Sequence, residues 1–265
     1  MQVPNVFRDP AVEEQLAVTR RAATSVRVLL VTDASAAAGV AEAWIGRLRW
    51  AIPPRVDILC VARPRRLASG IALQTYRSAV RNAVADLRQS DLLQALRIAN
   101  ATGERLQAKR LLTGAWARLG DPVSEIGAMV RAEALDLVVL GSDGRRGLFS
   151  PPDVVSELIG QIDTAILVTR AIDHGDEPLP RRVAFVTSER AGDAWGTWLT
   201  RAGWLDGAEV RAGGSDELRE RAPEGRPDLA VIGRRPGSRS PRPRLDDALE
   251  WASAVLLLPA NSIGR

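Results

Sequence analysis

Three apolar segments recur, in the same order, in the two halves of the chain. Val28-Leu-Leu-Val-Thr32 returns as Val183-Ala-Phe-Val-Thr187, Leu135-Asp-Leu-Val-Val-Leu-Gly141 as Pro227-Asp-Leu-Ala-Val-Ile-Gly233, and Thr164-Ala-Ile-Leu-Val-Thr169 as Ser253-Ala-Val-Leu-Leu-Leu258. A tryptophan follows the first segment in each half, Trp44 and Trp195. Three aligned echoes indicate an internal duplication, so one unit has to fold twice. Each segment is apolar along nearly its whole length. A strand of that kind needs cover on both faces, which helices on the two sides of a parallel sheet provide.

The sequence between these segments supplies the helices. Val26 to Thr32 reads as a strand, and Ala36 to Trp50 as a helix with Val40, Ala43, Trp44, Arg47 and Leu48 at helical spacing. Val56 to Ala62 is the second strand. A long helical pattern over Ile71 to Ala99 places Val80, Val84, Leu87, Leu93 and Leu96 on one side, and Leu106 to Thr113 is the third strand candidate. Gly120-Asp-Pro122 offers a cap and a proline at the first helical position for a helix through Ile126, Met129, Val130 and Ala134. Leu135 to Leu140, Pro151 to Gln161 and Thr164 to Thr169 complete strand, helix and strand. The expected fold is α/β, a doubly wound parallel sheet of five strands.

Beyond the polar, proline-rich Ala171 to Pro180 the pattern restarts in shortened form. Only Ala208-Glu-Val-Arg-Ala212 lies between the first and penultimate strands of the second unit, so one strand and the long helix are missing. The expected organisation is a leader helix in 1–24 opening at Asp9-Pro10, a first domain over 25–172, a linker over 173–181 and a truncated second domain over 182–265.

At 265 residues the chain has room for two small domains. Its sequence pI of 10.3 accompanies a formal charge of only +4, and Lys109 is the single lysine among 36 basic residues, so arginine inflates the pI without arguing for nucleic acid. A single cysteine, Cys60, and a single histidine, His174, exclude a disulfide framework and a Cys/His zinc cluster. The chain shows neither a run of 18 apolar residues nor a basic-then-apolar leader, which points to a soluble, cytoplasmic protein.

The fourth strand empties into Gly141-Ser-Asp-Gly144, a strand-to-helix turn of the sort that can bring backbone N–H groups to an anion. The helix after it opens on Ser150-Pro-Pro-Asp153. Prolines lack the N–H and Asp153 is negative where an anion would sit; this stretch reads as a capping box with Ser150 at the cap.

Gly120-Asp-Pro-Val-Ser-Glu-Ile126, Asp136-Leu-Val-Val-Leu-Gly-Ser-Asp-Gly-Arg-Arg-Gly-Leu148 and Ala165-Ile-Leu-Val-Thr169 together resemble the universal stress proteins, in tandem form. The similarity is good over Ser25 to Arg170 and weak over Arg182 to Pro259. It implies a crevice at the C-terminal ends of the strands that takes ATP or AMP. Asp33 would contact the adenosine part, backbone near Val61 the adenine, and a Gly-x2-Gly-x9-Gly-Ser/Thr loop the phosphates. Gly141 and Gly144 match the first half of that loop. Where the second half expects Gly and a hydroxyl residue stand Val154 and Val155, or Pro152-Asp153 if two residues are deleted. In the second copy Ser188 replaces Asp33 and Gly233-Arg-Arg-Pro236 replaces Gly141 to Gly144.

Each site residue also has a structural reading. Asp33 can cap the following helix, and Gly141 and Gly144 can serve a tight turn. Arg234, Arg235, Arg239, Arg242 and Arg244 form a basic loop that fits an anion or an acidic partner, or is simply solvated. No catalytic pair is credible: His174 lies in the linker and Cys60 inside an apolar strand. The expectation is therefore a binding protein and not an enzyme, its nucleotide site weakened or lost, with ATP or AMP binding in the first domain as the alternative. The resemblance further implies that Thr164 to Thr169 and Ser253 to Leu258, as fifth strands through which members of the family often dimerise, pair antiparallel across a pseudo-twofold axis as an internal pseudo-dimer; their lack of interior charge suits that burial, and further homodimers are open.

Overall fold

The computed structural model describes residues 25–63, 77–142, 154–170, 179–186, 199–200, 202–220, 226–233 and 242–259. The first copy contributes β1 (Arg27–Val31), α1 (Ala36–Arg47), β2 (Arg55–Ala62), α2 (Arg77–Gln107), β3 (Leu112–Leu119), α3 (Pro122–Glu133), β4 (Leu137–Gly141), α4 (Val154–Gln161) and β5 (Ala165–Thr169). The second contributes β6 (Arg182–Val186), β7 (Glu209–Gly213), α5 (Ser215–Glu220), β8 (Leu229–Gly233), α6 (Arg242–Trp251) and β9 (Ala254–Leu258).

The strands form one nine-stranded sheet in the order β3-β2-β1-β4-β5-β9-β8-β6-β7. Pairing is parallel within each copy, as the apolar strands predict, and antiparallel between β5 and β9, as the family resemblance implies. Read outward from that seam, β9, β8, β6 and β7 repeat β5, β4, β1 and β2. Among the described residues nothing in the second copy corresponds to β3 or to α2.

A reciprocal backbone clasp shows the duplication atom by atom. In the first copy the Arg27 N–H donates to Asp136 Oδ2 at 2.9 Å, and the Asp136 N–H donates to the Arg27 carbonyl at 2.9 Å. In the second, the Arg181 and Arg182 N–H groups donate to Asp228 Oδ2 at 2.7 and 3.0 Å, and the Asp228 N–H returns to the Arg182 carbonyl at 3.0 Å. An aspartate at the head of the penultimate strand thus ties that strand to the first one, which explains why Asp recurs in both Asp-Leu-x-Val segments.

One core covers each face, and both run through both copies. One gathers Val28, Leu30, Trp44 and Ile58 with Val183, Val231, Leu256 and Trp204; the other gathers Leu29, Ile126, Leu158 and Ile166 with Ala230, Ile232, Val255 and Leu257. The copies also meet away from the sheet. Aligning Arg55 with Glu209 brings Trp50 onto Trp204, and these two rings pack edge to face, 5.4 Å apart at 70°. Around them the Ala51 N–H donates to the Ala202 carbonyl at 3.1 Å, and Arg49 Nη1 donates to the Asp206 carbonyl. Gly203 has φ +83°, and a Cβ there would lie 2.6 Å from Ala51 N, so this contact needs glycine. Leu179, near the end of the expected linker, is buried between the copies and exchanges backbone hydrogen bonds with Arg47 and Arg49. Trp195, the tryptophan expected to follow β6, lies outside the described residues.

Two expectations are corrected. Leu106 does not start a strand. Helix α2 runs on to Gln107, because Ala95, Ala99, Thr102 and Leu106 form its inward row; Arg110 turns the chain with φ +63°, and β3 begins at Leu112. Nor do Leu93 and Leu96 face the sheet, at 49% and 37% exposed. The leader helix of 1–24 and the Ser150–Asp153 cap lie outside the described residues.

Candidate functional site

In a doubly wound sheet a crevice opens where successive connections leave toward opposite sides, at the C-terminal ends of the strands. The first copy has this switch point between β1 and β4, since β2 lies beyond one and β5 beyond the other. Asp33 follows β1 and Gly141 closes β4, so two expected site residues flank one crevice. The second switch point lies between β6 and β8.

Asp33 is exposed at the mouth, and its Oδ1 accepts the Ser35 N–H at 2.9 Å. Ala34 between them holds φ +61°, an uncommon conformation for a residue with a Cβ and one that tends to occur beside functional sites. Asp33 does not cap α1. Ser35 does, in extended conformation, with Oγ accepting the Ala38 N–H at 3.2 Å. Serine is a favoured cap, and its place two residues upstream of Ala37 could have identified it.

Val61 sits where β2 outruns its neighbour. The last β1 pairing is Val31 with Leu59, after which the Thr32 N–H donates to the Leu59 carbonyl at 2.9 Å. Cys60, Val61 and Ala62 continue in register with β3 alone, so the Val61 backbone borders the crevice. Beneath the mouth, burial pushes the Cys60 thiol up to about 11, and the Asp33 carboxylate adds to the rise. Across the rim Asp121 caps α3 by accepting the Ser124 N–H at 3.0 Å; this bond holds its carboxyl below the usual range, with Arg63 contributing.

Gly141 has a packing reason to be glycine. A Cβ there would fall 2.0 Å from the Ala37 carbonyl oxygen and 2.8 Å from Ala38 N, because the first turn of α1 lies directly on the end of β4. The next N–H, that of Ser142, donates to the Thr169 carbonyl at 2.8 Å and continues the β4–β5 pairing. Gly144, Arg234, Arg235 and Arg239 lie outside the described residues, while Arg242 and Arg244 fall in the first turns of α6. Among the described residues no group of His, Cys, Asp and Glu could hold a metal ion, and no helix is long and apolar enough to cross a membrane.

No protein-family model and no curated protein matches the chain. Solved structures do. It is similar to a universal stress protein from Archaeoglobus fulgidus, at 15% identity over 88% of this chain and 96% of that one, with a TM-score of 0.62. The fold is that of the universal stress proteins. A functionally unknown protein from Pseudomonas aeruginosa aligns over 93% of this chain and 96% of its own, at 13% identity and TM-score 0.47. An AMP-bound universal stress family protein from Arabidopsis thaliana aligns over 56% and 93%, at 16% identity and TM-score 0.35. At 88% of this chain, the match to the Archaeoglobus fulgidus structure carries the universal stress protein fold through both copies.

Proposed function

We propose that this chain is a non-catalytic binding protein of the universal stress type, acting in regulation, whose nucleotide site is weakened or lost. The commitment of the crevice backbone supports this most directly. An anion held at such a switch point needs unpaired N–H groups. Here the N–H groups of Ser35, Ala38 and Ser142 donate within the protein, and the first turn of α1 closes on Gly141. The sequence adds Pro151-Pro-Asp153 where the loop should end. Among the described residues of the crevice, a phosphate meets few free donors.

The nucleoside side of the crevice favours a second reading, adenine-nucleotide binding in the first copy. Asp33 keeps an exposed carboxylate, and the Val61 backbone lies beyond the end of β1. Calorimetric titration of the whole chain with ATP and AMP, together with mass analysis of copurifying nucleotide, separates the two. The expected result is no released nucleotide and no heat at millimolar ATP. Micromolar binding abolished by Asp33→Ala would establish the second reading instead.

A further inference from the structure

Among the described residues, the second copy leaves open an edge that β3 covers in the first. The outer side of β2 pairs with β3 over eight residues, from Arg55 with Leu112 to Ala62 with Leu119. By register Arg55, Val56 and Asp57 correspond to Glu209, Val210 and Arg211, since Arg27 pairs with Arg55 and Arg182 with Glu209. Val56 is fully buried in the core, whereas Val210 is 39% exposed. Strand β7 closes the sheet, and among the described residues nothing pairs with its outer edge.

The direction of the backbone groups on that edge follows from one bond. The Glu209 N–H donates inward, to the Arg181 carbonyl of the neighbouring chain segment, at 2.7 Å. Alternation along a strand then turns the N–H and C=O of Val210 and Ala212 outward. An open edge of this kind is a template for another strand, and charged residues commonly guard it. Glu209 and Arg211 do guard it, but as opposite charges two residues apart, 2.7 Å from each other within the strand. The corresponding pair in the first copy, Arg55 and Asp57, carries the charges in reverse order and lies 3.5 Å apart.

We propose that this edge is the seam of a homodimer, in which β7 of two copies pairs antiparallel about a twofold axis at Val210. In that register the Val210 N–H of each copy donates to the Val210 carbonyl of the other, and the Ala212 N–H reaches the other copy's Ala208 carbonyl. Glu209 of one copy lies directly opposite Arg211 of its partner, and the same pair forms again across the axis. The exposed Val210 side chains meet on the opposite face. A register centred on Arg211 would satisfy the same outward backbone groups but would set the two arginines against each other. Charge order therefore selects the Val210-centred arrangement, and it is isologous, so it closes at two copies.

Analytical ultracentrifugation of the full chain over a wide concentration range tests this, with circular dichroism confirming that each variant is folded. A reversible monomer–dimer equilibrium is expected. Arg211→Glu places like charges opposite each other twice and should raise the dissociation constant roughly 10- to 100-fold. Exchanging the charges in Glu209→Arg/Arg211→Glu should restore dimerisation. Glu209→Arg and Arg211→Glu chains, each weakened in self-association, should form a heterodimer when mixed. Val210→Pro removes an outward N–H to which no described residue of the monomer is bonded, so it should abolish the dimer while the chain stays folded. A chain monomeric up to sub-millimolar concentration overturns the proposal. So does a dimer indifferent to Arg211→Glu and Val210→Pro, or one weakened by Arg211→Glu that charge exchange does not restore.

Discussion

Leu167 and Leu256 face each other across the joint between the copies, and each is the counterpart of the other. Aligning Ala165 with Ala254 places Leu167 on Leu256, Ile166 on Val255 and Val168 on Leu257. The observed partners are Leu167 with Leu256, Ile166 with Leu257 and Val168 with Val255. Exchanging the copies returns the same set, so the pseudo-twofold axis passes through the leucine pair. Both leucines are fully buried, as two edge strands become the centre of one sheet.

Leu167→Ala and Leu256→Ala should each cost about 2 to 5 kcal/mol, by lost burial and by the cavity left. Because the sites are images, the two costs should be similar. The double variant should depart from the sum, since the truncations share one cavity. Denaturant midpoints of the three variants check this.

Gly141→Ala forces a Cβ onto backbone atoms of Ala37 and Ala38, which cannot rotate away as a side chain can. The first turn of α1 must move, at a cost of about 1 to 3 kcal/mol or more. A lowered melting temperature is expected, together with faster amide exchange at Ala38, whose cap from Ser35 is disturbed. An unchanged melting temperature would contradict the packing role of this glycine.

Asp228→Ala should destabilise more than Asp136→Ala. Asp228 is fully buried and accepts two backbone N–H groups, whereas Asp136 is partly exposed and accepts one. At about 1 to 3 kcal/mol for each buried donor left unsatisfied, thermal unfolding resolves the difference. Asparagine keeps an acceptor oxygen and should recover part of the loss at either position.

The Cys60 thiol, raised from 9.0 to about 11, gives a pH signature. Below pH 9 both the folded and the unfolded thiol hold the proton. Between pH 9 and 11 the unfolded chain releases it first, so this contribution to stability is fully present below pH 9 and is lost as pH rises toward 11. Chemical denaturation of the parent chain and of Cys60→Ser at pH 8 and pH 10.5 should show a smaller loss in the serine variant. At pH 8 the folded thiol should react with a disulfide reagent roughly 100-fold more slowly than the unfolded one, from its thiolate fraction alone.

The parallel sheet was legible because it rests on runs of large apolar residues, which must be buried wherever they occur, and the antiparallel joint followed from the family resemblance. Helix α2 was less so. Its inward row is largely small or polar, Ala95, Ala99 and Thr102, so the outward Leu93 and Leu96 carried the stronger signal. Strand β3 lies at a sheet edge and mixes Gly114 and Arg118 with its apolar residues, which hid it behind Leu106. At the crevice Asp33 and Gly141 were found by position. Their partners, Ser35 and the Ala37 backbone, depend on how closely α1 approaches β4, and that distance is a tertiary quantity. The Trp50–Trp204 contact was hidden for the same reason, though both tryptophans stand five residues ahead of equivalent strands.

The β5–β9 joint also sets how this architecture responds to dilution. Two separate chains meeting along such strands would come apart as their concentration fell. Within one polypeptide the strands stay at the high effective concentration fixed by the connecting segment, whatever the amount of protein. The association is then no longer subject to mass action, and the sheet should remain continuous at concentrations where an equivalent pair of free subunits would have separated.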